Sequence, residues 1–184
     1  MAGLGPLEPA EVDARAARTG LLVLDVDGVL TDGGIVMDDA GNELKRFHVR
    51  DGHGIKLVQR RGVLVALITG RRSGVVEQRA AELGIEHVYQ GAEDKRAAMR
   101  DLLARLDLAP EAVAMVGDDV VDLPLLAQAG LAVTVADGHP AVRERAHWVT
   151  ASGGGHGAVR EVCDCILRAQ GHEAALLQGY LEPG

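Results

Sequence analysis

Short apolar runs recur along the chain, separated by longer stretches in which the apolar positions follow a helical spacing. A short apolar run without alternation is typical of a strand that is buried on both faces. Such runs predict strands at residues 21–24, 63–68, 86–89, 112–116 and 131–135. The stretches between them predict helices at residues 52–61, 73–83, 94–106 and 122–129. Because strands and helices alternate, we expect an α/β fold: a doubly wound, Rossmann-like parallel sheet with helices on both faces.

One segment, residues 33–49, breaks this alternation. It has two extended arms joined by the polar stretch 38–42, which predicts a β-hairpin that projects from the sheet. We expect residues 1–20 to be a polar lead-in, residues 21–171 to be one domain and residues 172–184 to be a C-terminal tail.

Composition narrows the possible partners. Of the 184 residues, 47% are apolar but only 2% are aromatic, so the core must consist of Leu, Val, Ile and Ala. The formal charge of −8 and the lack of a basic stripe argue against a nucleic-acid partner. No apolar run approaches the ~20 residues of a membrane span, and the first residues lack the apolar segment of a secretory signal.

The two cysteines, Cys163 and Cys165, lie two residues apart in a stretch that predicts a helix. They should point to different faces, so we expect buried or incidental thiols rather than a disulfide or a shared metal. Free thiols agree with a reducing compartment, and we therefore expect a cytoplasmic protein.

Polar residues collect where the predicted strands end. In a doubly wound sheet, ligands bind beyond the carboxyl ends of the strands, so these side chains should meet at one edge. Crowded carboxylates repel one another or take up protons unless a cation intervenes. Oxygen ligands without nearby His or Cys favour a hard ion such as Mg²⁺. The residues concerned are Asp25, Asp27, Thr69, Lys95, Asp118, Asp119 and Asp122.

This set of side chains suits phosphoryl transfer. A metal and Lys95 can neutralise charge on phosphate oxygens, while Thr69 donates a hydrogen bond to one of them. A carboxylate can attack phosphorus to form an acyl phosphate. A second carboxylate two residues further on can protonate the leaving oxygen and later deprotonate the attacking water.

The order of these residues resembles the four motifs of haloacid-dehalogenase-superfamily phosphatases. DVDGVLT at residues 25–31 is similar to the first motif. Thr69, Lys95 and GDDVVD at residues 117–122 match the second, third and fourth motifs in the same order.

The resemblance assigns a role to each carboxylate. It implies that Asp25 is the nucleophile and Asp27 the general acid and base. It also implies that Mg²⁺ is bound by Asp25, by the backbone carbonyl of Asp27 and by Asp118. Asp119 and Asp122 would support the metal shell.

Many members of this superfamily carry a cap domain over the active site. Here the intervals between Asp25 and Thr69 and between Thr69 and Lys95 are filled by the predicted hairpin, helices and strands, which leaves no room for a cap. The site of a monomer would then lie open to water. The hairpin at 33–49 could meet a neighbouring subunit or fold over its own active site, and both can hold.

Further motifs between residues 25 and 171 resemble the capless sugar-acid phosphatase subfamily. Its best-known member hydrolyses 3-deoxy-D-manno-octulosonate 8-phosphate in lipopolysaccharide biosynthesis, and the resemblance implies a homotetramer. The matching stretches are NELK at 42–45, VRDGHG at 49–54, ITGR at 68–71, YQG at 89–91, VGDD at 116–119 and GHGAVREV at 155–162.

A phosphorylated sugar acid carries a carboxylate remote from its phosphate, and planar guanidinium groups suit that carboxylate. The candidates are Arg50, Arg71, Arg79 and Arg160. The chain departs from the octulosonate enzymes at His156, where those enzymes commonly have arginine.

Two alternatives to the octulosonate substrate stay open. One is the same chemistry on a nonulosonate 9-phosphate or on a broader set of sugar phosphates. The other is a signalling receiver domain, which also has an acidic pocket, a hydroxyl and a lysine. A receiver, however, takes its phosphoryl group on an Asp that ends a middle strand, where this chain has Thr69.

Overall fold

A computed structural model of the chain describes residues 4–182. The strands in this range are β1 (Leu21–Leu24), β2 (Val36–Met37), β3 (Glu43–Leu44), β4 (Leu64–Ile68), β5 (His87–Tyr89), β6 (Val113–Val116), β7 (Leu131–Thr134) and β8 (Trp148–Val149). The α-helices are α1 (Pro9–Ala16), α2 (Val49–Gln59), α3 (Gly74–Leu83), α4 (Lys95–Leu106), α5 (Leu123–Leu126), α6 (Pro140–Arg143), α7 (Ala158–Ala169) and α8 (Glu173–Leu181).

The main sheet has six strands in the order β5-β4-β1-β6-β7-β8, and every neighbouring pair is parallel. The predicted α/β fold with a parallel sheet is therefore confirmed. Strand β1 lies in the middle, where Leu21 pairs with Leu64 of β4 and with Val113 of β6. Its four apolar side chains are all buried, which explains why the strand reads as a continuous apolar run.

Alternate residues of β1 enter two separate cores. Leu22 and Leu24 belong to the core that includes buried residues of α1, α2 and α7. Leu21 and Val23 belong to the core that includes buried residues of α4 and α5. Helices therefore cover both faces of the sheet, as the sequence predicts.

The hairpin is present but shorter than predicted. Strands β2 and β3 pair antiparallel over two residues each. The predicted second arm ran to Val49, but the structure begins α2 at that residue, before the expected start at Gly52. Within this helix, Gly54 allows a close approach to α7, because a Cβ at Gly54 would lie only 3.1 Å from Cβ of Cys163.

Two further boundaries differ from the prediction. Strand β8 went unpredicted because two residues are too few to show a strand pattern. The predicted helix at 122–129 is a 3₁₀ turn, Val120–Asp122, followed by the short helix α5. The turn forms because Asp119 caps it and Pro124 opens the helix that follows.

The predicted lead-in and the predicted tail each contain a helix, α1 and α8. Val12 and Ala16 of α1 are buried in the core beside α7. The C-terminal helix α8 is mostly exposed, but the Tyr180 hydroxyl lies 2.9 Å from Nε2 of His53 on α2. Within α7, Cys163 and Cys165 are buried free thiols, as expected. No helix within residues 4–182 is long and apolar enough to cross a membrane.

Gly130 lies between α5 and β7, and its close packing predicts how a substitution there changes stability. A Cβ at this position would overlap the backbone carbonyl oxygen of Glu111, which cannot move without shifting its turn. Gly130→Ala should therefore lower the free energy of unfolding by about 1–3 kcal/mol. The matched control is Gly74→Ala at the start of α3, where a Cβ would meet nothing within 4 Å. Urea denaturation should show the control unchanged or slightly more stable, and equal loss in both variants would contradict the packing.

Candidate active site

A cleft of about 340 Å³ opens at the carboxyl edge of the sheet. Most of the residues expected to carry the chemistry line it, because β1, β4 and β6 all end there. These residues are Asp25, Asp27, Thr69, Arg71, Lys95, Asp118 and Asp119.

Lys95 joins two buried carboxylates beneath this cleft. Its Nζ lies 2.9 Å from Oδ2 of Asp25 and 2.7 Å from Oδ1 of Asp122. Asp25 is 6% exposed and Asp122 is fully buried. Burial alone would lower the pKa of Lys95, but the two carboxylates outweigh it and raise that pKa. The ammonium therefore stays charged and offsets one of the negative charges.

Positive charge remains insufficient at this edge. Carboxylate oxygens of Asp25, Asp118 and Asp122 lie within 4.8 Å of one another. Burial, followed by the Asp122 charge, raises the pKa of Asp25 to about 6. Burial, followed by the Asp25 and Asp122 charges, raises the pKa of Asp118 to about 7. The cluster is thus costly to ionise without a further cation.

Two buried oxygens show where such a cation fits. Oδ1 of Asp25 and Oδ1 of Asp118 have no hydrogen-bond partner among the described residues. Buried carboxylate oxygens without partners are rare unless an ion or water satisfies them. The donors are all oxygens, which suits Mg²⁺. The predicted magnesium cofactor therefore agrees with the residues present.

Asp119 and Asp122 have different environments. Oδ2 of Asp122 accepts hydrogen bonds from the backbone N–H groups of Asp118 and Asp119, at 3.1 and 3.3 Å. Asp122 thus shapes the acidic loop from below, in addition to pairing with Lys95. Asp119 is exposed, and its carboxylate accepts from the N–H of Val120 at 2.7 Å. Its contacts cap the 3₁₀ turn at the rim of the cleft.

The hairpin contacts the same cleft at Asp27. Nζ of Lys45 forms an ion pair with Oδ1 of Asp27, and Nε of Arg71 lies 3.8 Å from Oδ2. Lys45 also lies 3.2 Å from Glu43, which in turn pairs with Arg71 at 2.9 Å. Glu43 and Lys45 are not among the site residues predicted from the sequence, although both lie in the NELK stretch that resembles the capless subfamily.

The structure does not bring the other predicted arginines to the cleft. Arg50 is exposed on the first turn of α2. Arg79 pairs with Glu82 at 2.7 Å. Arg160 pairs with Asp164 of its own helix at 2.8 Å. Of the four candidates, only Arg71 lines the cleft.

The glycine-rich segment at 153–157 packs tightly against the loop that follows β1. A Cβ at Gly154 would overlap the carbonyl oxygen of Gly28, and the N–H of Gly155 donates to Val29 O at 2.9 Å. His156 is exposed, and its Nδ1 lies 2.7 Å from the carbonyl oxygen of Gly154. Close packing against backbone atoms explains Gly154 and Gly155.

Comparisons with known proteins agree with the fold and with the cleft. Residues 87–162 match the haloacid dehalogenase-like hydrolase family. The 3-deoxy-D-manno-octulosonate 8-phosphate phosphatase KdsC of Escherichia coli is 54% identical over 167 residues, which cover 91% of this chain and 88% of the relative.

Two solved structures extend the comparison. The phosphatase of the same name from Yersinia pestis superimposes with a TM-score of 0.87 at 54% identity, over 88% of each chain. The enzyme from Moraxella catarrhalis, solved with a magnesium ion, a phosphate ion and a KDO molecule, gives a TM-score of 0.90 at 39% identity. That match covers 92% of this chain and 98% of the other.

The fold and the acidic cleft are those of a metal-dependent phosphoryl-transfer hydrolase without a cap domain. The chain belongs to the haloacid dehalogenase superfamily, in its capless 3-deoxy-D-manno-octulosonate 8-phosphate phosphatase family.

The raised pKa values of Asp25 and Asp118 predict how metal binding depends on pH. Mg²⁺ requires ionised carboxylates, whereas protons occupy Asp118 below about pH 7 and Asp25 below about pH 6 in the metal-free protein. Apparent Mg²⁺ affinity should therefore fall by roughly tenfold or more from about pH 8 to about pH 6. Calorimetric titration measures it directly.

Two variants serve as controls for this titration. Asp118→Asn should bind Mg²⁺ weakly at every pH. Asp164→Asn, whose carboxylate pairs with Arg160 outside the cleft, should behave like the wild type. Wild-type affinity that does not change with pH would contradict proton competition at the cluster.

Proposed function

We propose that this chain is a Mg²⁺-dependent phosphatase that hydrolyses 3-deoxy-D-manno-octulosonate 8-phosphate to the free sugar acid and phosphate, through a phosphoryl group carried on Asp25. The main support is the buried Asp25 carboxylate, which has one oxygen on Lys95 and the other unpartnered beside Asp118. The 54% identical relative carries the name of this activity, and the Moraxella structure holds magnesium, phosphate and KDO together.

The chemistry takes two steps. In the first, an oxygen of Asp25 bonds to phosphorus while the bond from phosphorus to the sugar oxygen breaks, and Asp27 protonates that oxygen. In the second, Asp27 takes a proton from water, which attacks phosphorus and releases phosphate from Asp25. Lys95 and Thr69 stabilise charge on the phosphate oxygens. Bound Mg²⁺, held by Asp25, the Asp27 carbonyl and Asp118, supplies further positive charge there.

Supporting roles follow from the contacts of the remaining acidic residues. Asp122 would keep Lys95 and the Asp118 loop in place, because it contacts both. Asp119 would support the metal shell only at the rim, since its carboxylate caps the neighbouring turn.

Among the arginines, we propose Arg71 as the contact for the substrate carboxylate. It lines the cleft, and its side chain is 46% exposed. Arg50, Arg79 and Arg160 line no part of the cleft of their own chain, so the proposed contact set omits them.

We also propose a homotetramer that assembles through the hairpin, in the cytoplasm. The hairpin exposes an apolar group: Ile35 by 60%, Val36 by 54%, Met37 by 64% and Leu44 by 56%. Val36 and Leu44 pair with each other on the face opposite Glu43 and Lys45, and exposed apolar side chains of this kind favour a protein interface. A capless cleft also gains shelter if a neighbour covers it. The cytoplasmic location is supported by the two free thiols.

Phosphate release from a panel of sugar phosphates, with and without Mg²⁺, tests the activity. The octulosonate 8-phosphate should be hydrolysed fastest, and chelation of Mg²⁺ should abolish release. Asp25→Asn should reduce turnover to below about a thousandth of the wild-type value while leaving the fold intact, because the amide cannot act as the nucleophile. A preference for a nonulosonate 9-phosphate would overturn the substrate, and an active Asp25→Asn variant would overturn the nucleophile.

The assembly has its own prediction. Leu44→Asp places a charge in the exposed apolar group of the hairpin, on the face opposite Glu43 and Lys45, and should shift the protein to smaller species, because an unpaired charge is costly to bury in an interface. Ala81→Asp adds the same charge to an exposed position of α3 and should leave the assembly unchanged. Size-exclusion chromatography with light scattering distinguishes the outcomes; a fully active wild-type monomer would contradict the proposal.

A further inference from the structure

Lys45 is buried in a part of the chain that is otherwise exposed. Its side chain is only 3% exposed, whereas its neighbour Arg46 is 72% exposed. The Lys45 ammonium ends between two carboxylates, Asp27 of the cleft and Glu43 of strand β3. A buried ammonium needs such partners, so its position is fixed by the cleft rather than by the hairpin alone.

Glu43 anchors this lysine to the rim of the cleft. Its carboxylate accepts hydrogen bonds from the hydroxyl of Ser73 and from Arg71 Nη2, the latter at 2.9 Å. The Ser73 bond, followed by the charges of Lys45 and Arg71, holds the pKa of Glu43 below its usual range. Glu43 therefore stays ionised and ties the hairpin to the loop that follows β4.

The contact with Asp27 is specific to one oxygen. Lys45 pairs with Oδ1, while Oδ2 lies 3.8 Å from Arg71 Nε, beyond a hydrogen bond. Fixing Oδ1 stops the carboxylate from rotating and leaves Oδ2 available to exchange a proton with a bound group. Because Asp27 lies on a loop and is 26% exposed, it has no comparable restraint of its own.

We propose that Lys45, held by Glu43, is a positioning residue that aims the Asp27 carboxylate at the leaving oxygen of the substrate. This inference rests on the proposed function, in which Asp27 protonates that oxygen. The hairpin then contributes to the first chemical step of its own subunit, in addition to any contact that it makes with a neighbour.

The test compares two leaving groups in the presence of Mg²⁺. A sugar alkoxide needs a proton in order to leave, whereas p-nitrophenolate does not. The ratio kcat/KM covers the steps from the free enzyme through departure of the leaving group, and excludes the later hydrolysis of the phosphoenzyme. Lys45→Met should lower kcat/KM for the octulosonate phosphate by roughly ten- to a hundredfold, but that for p-nitrophenyl phosphate by less than about threefold. Glu43→Gln should act in the same direction. Arg46→Met, the adjacent control, should change neither.

Equal losses on both substrates would overturn the proposal, because they would indicate general damage to the site. Unchanged activity of Lys45→Met on the sugar phosphate would overturn it as well. A wild type that hydrolyses p-nitrophenyl phosphate but no sugar phosphate would instead contradict the proposed substrate.

A second readout needs no turnover. In the metal-free protein, backbone hydrogen exchange across residues 33–47 should be faster in Lys45→Met than in Arg46→Met, because only the former loses the contact with the cleft. Equal exchange in the two variants would show that Lys45 does not hold the hairpin on Asp27.

Discussion

The ion pairs that Lys95 forms with Asp25 and Asp122 are the interaction on which the active-site edge depends. They lie where the sheet ends, and the lysine side chain is only 7% exposed. Water therefore cannot solvate these charges well, and they must be balanced by one another. Burial raises the pKa values of Asp25 and Asp118, and the crowding of three carboxylates around one ammonium raises them further. The same imbalance that makes the metal-free site costly provides the affinity for a divalent cation. Fold stability and cofactor binding are thus linked at these few residues.

Two glycines let the acidic loops approach closely enough for this linkage. Gly28 has a φ of +87°, and a Cβ there would overlap the Asp118 carboxylate. A Cβ at Gly117 would lie 2.5 Å from that of Asp122. A side chain at Gly28 would push the loop after β1 away from the loop after β6, and one at Gly117 would displace Asp122 within the latter. In either case the carboxylates could no longer share one ion. The motifs therefore combine acids with glycines for a steric reason as well as an electrostatic one.

The sequence predicts the parts of this molecule that local pattern determines. Strand β1 was predicted with its observed bounds, because burial on both faces leaves a continuous apolar run. The acidic residues were expected at one edge because parallel strands end together. The remainder depends on tertiary contacts. No local signal in Lys45 shows that its ammonium reaches Asp27, 18 positions away. Arg79 and Arg160 are different, because each pairs with an acid three or four residues further along its own helix, which is a local spacing. The spacing of apolar residues does not reveal an ion pair between residues that are far apart in the sequence.

The hairpin offers a physical answer to the missing cap domain. Its charged side chains Glu43 and Lys45 contact the cleft, while Val36 and Leu44, which pair with each other, present apolar surface on the opposite face. An isolated two-stranded hairpin is marginally stable in water, so it needs contacts on at least one side. The ion pairs provide those contacts within one subunit, and a neighbour on the apolar side would restrain it further. A hairpin of two short strands can then cover the cleft, as a separate cap domain does in other members of the superfamily. This requires that one face of the hairpin contacts the cleft and the other contacts a neighbouring subunit.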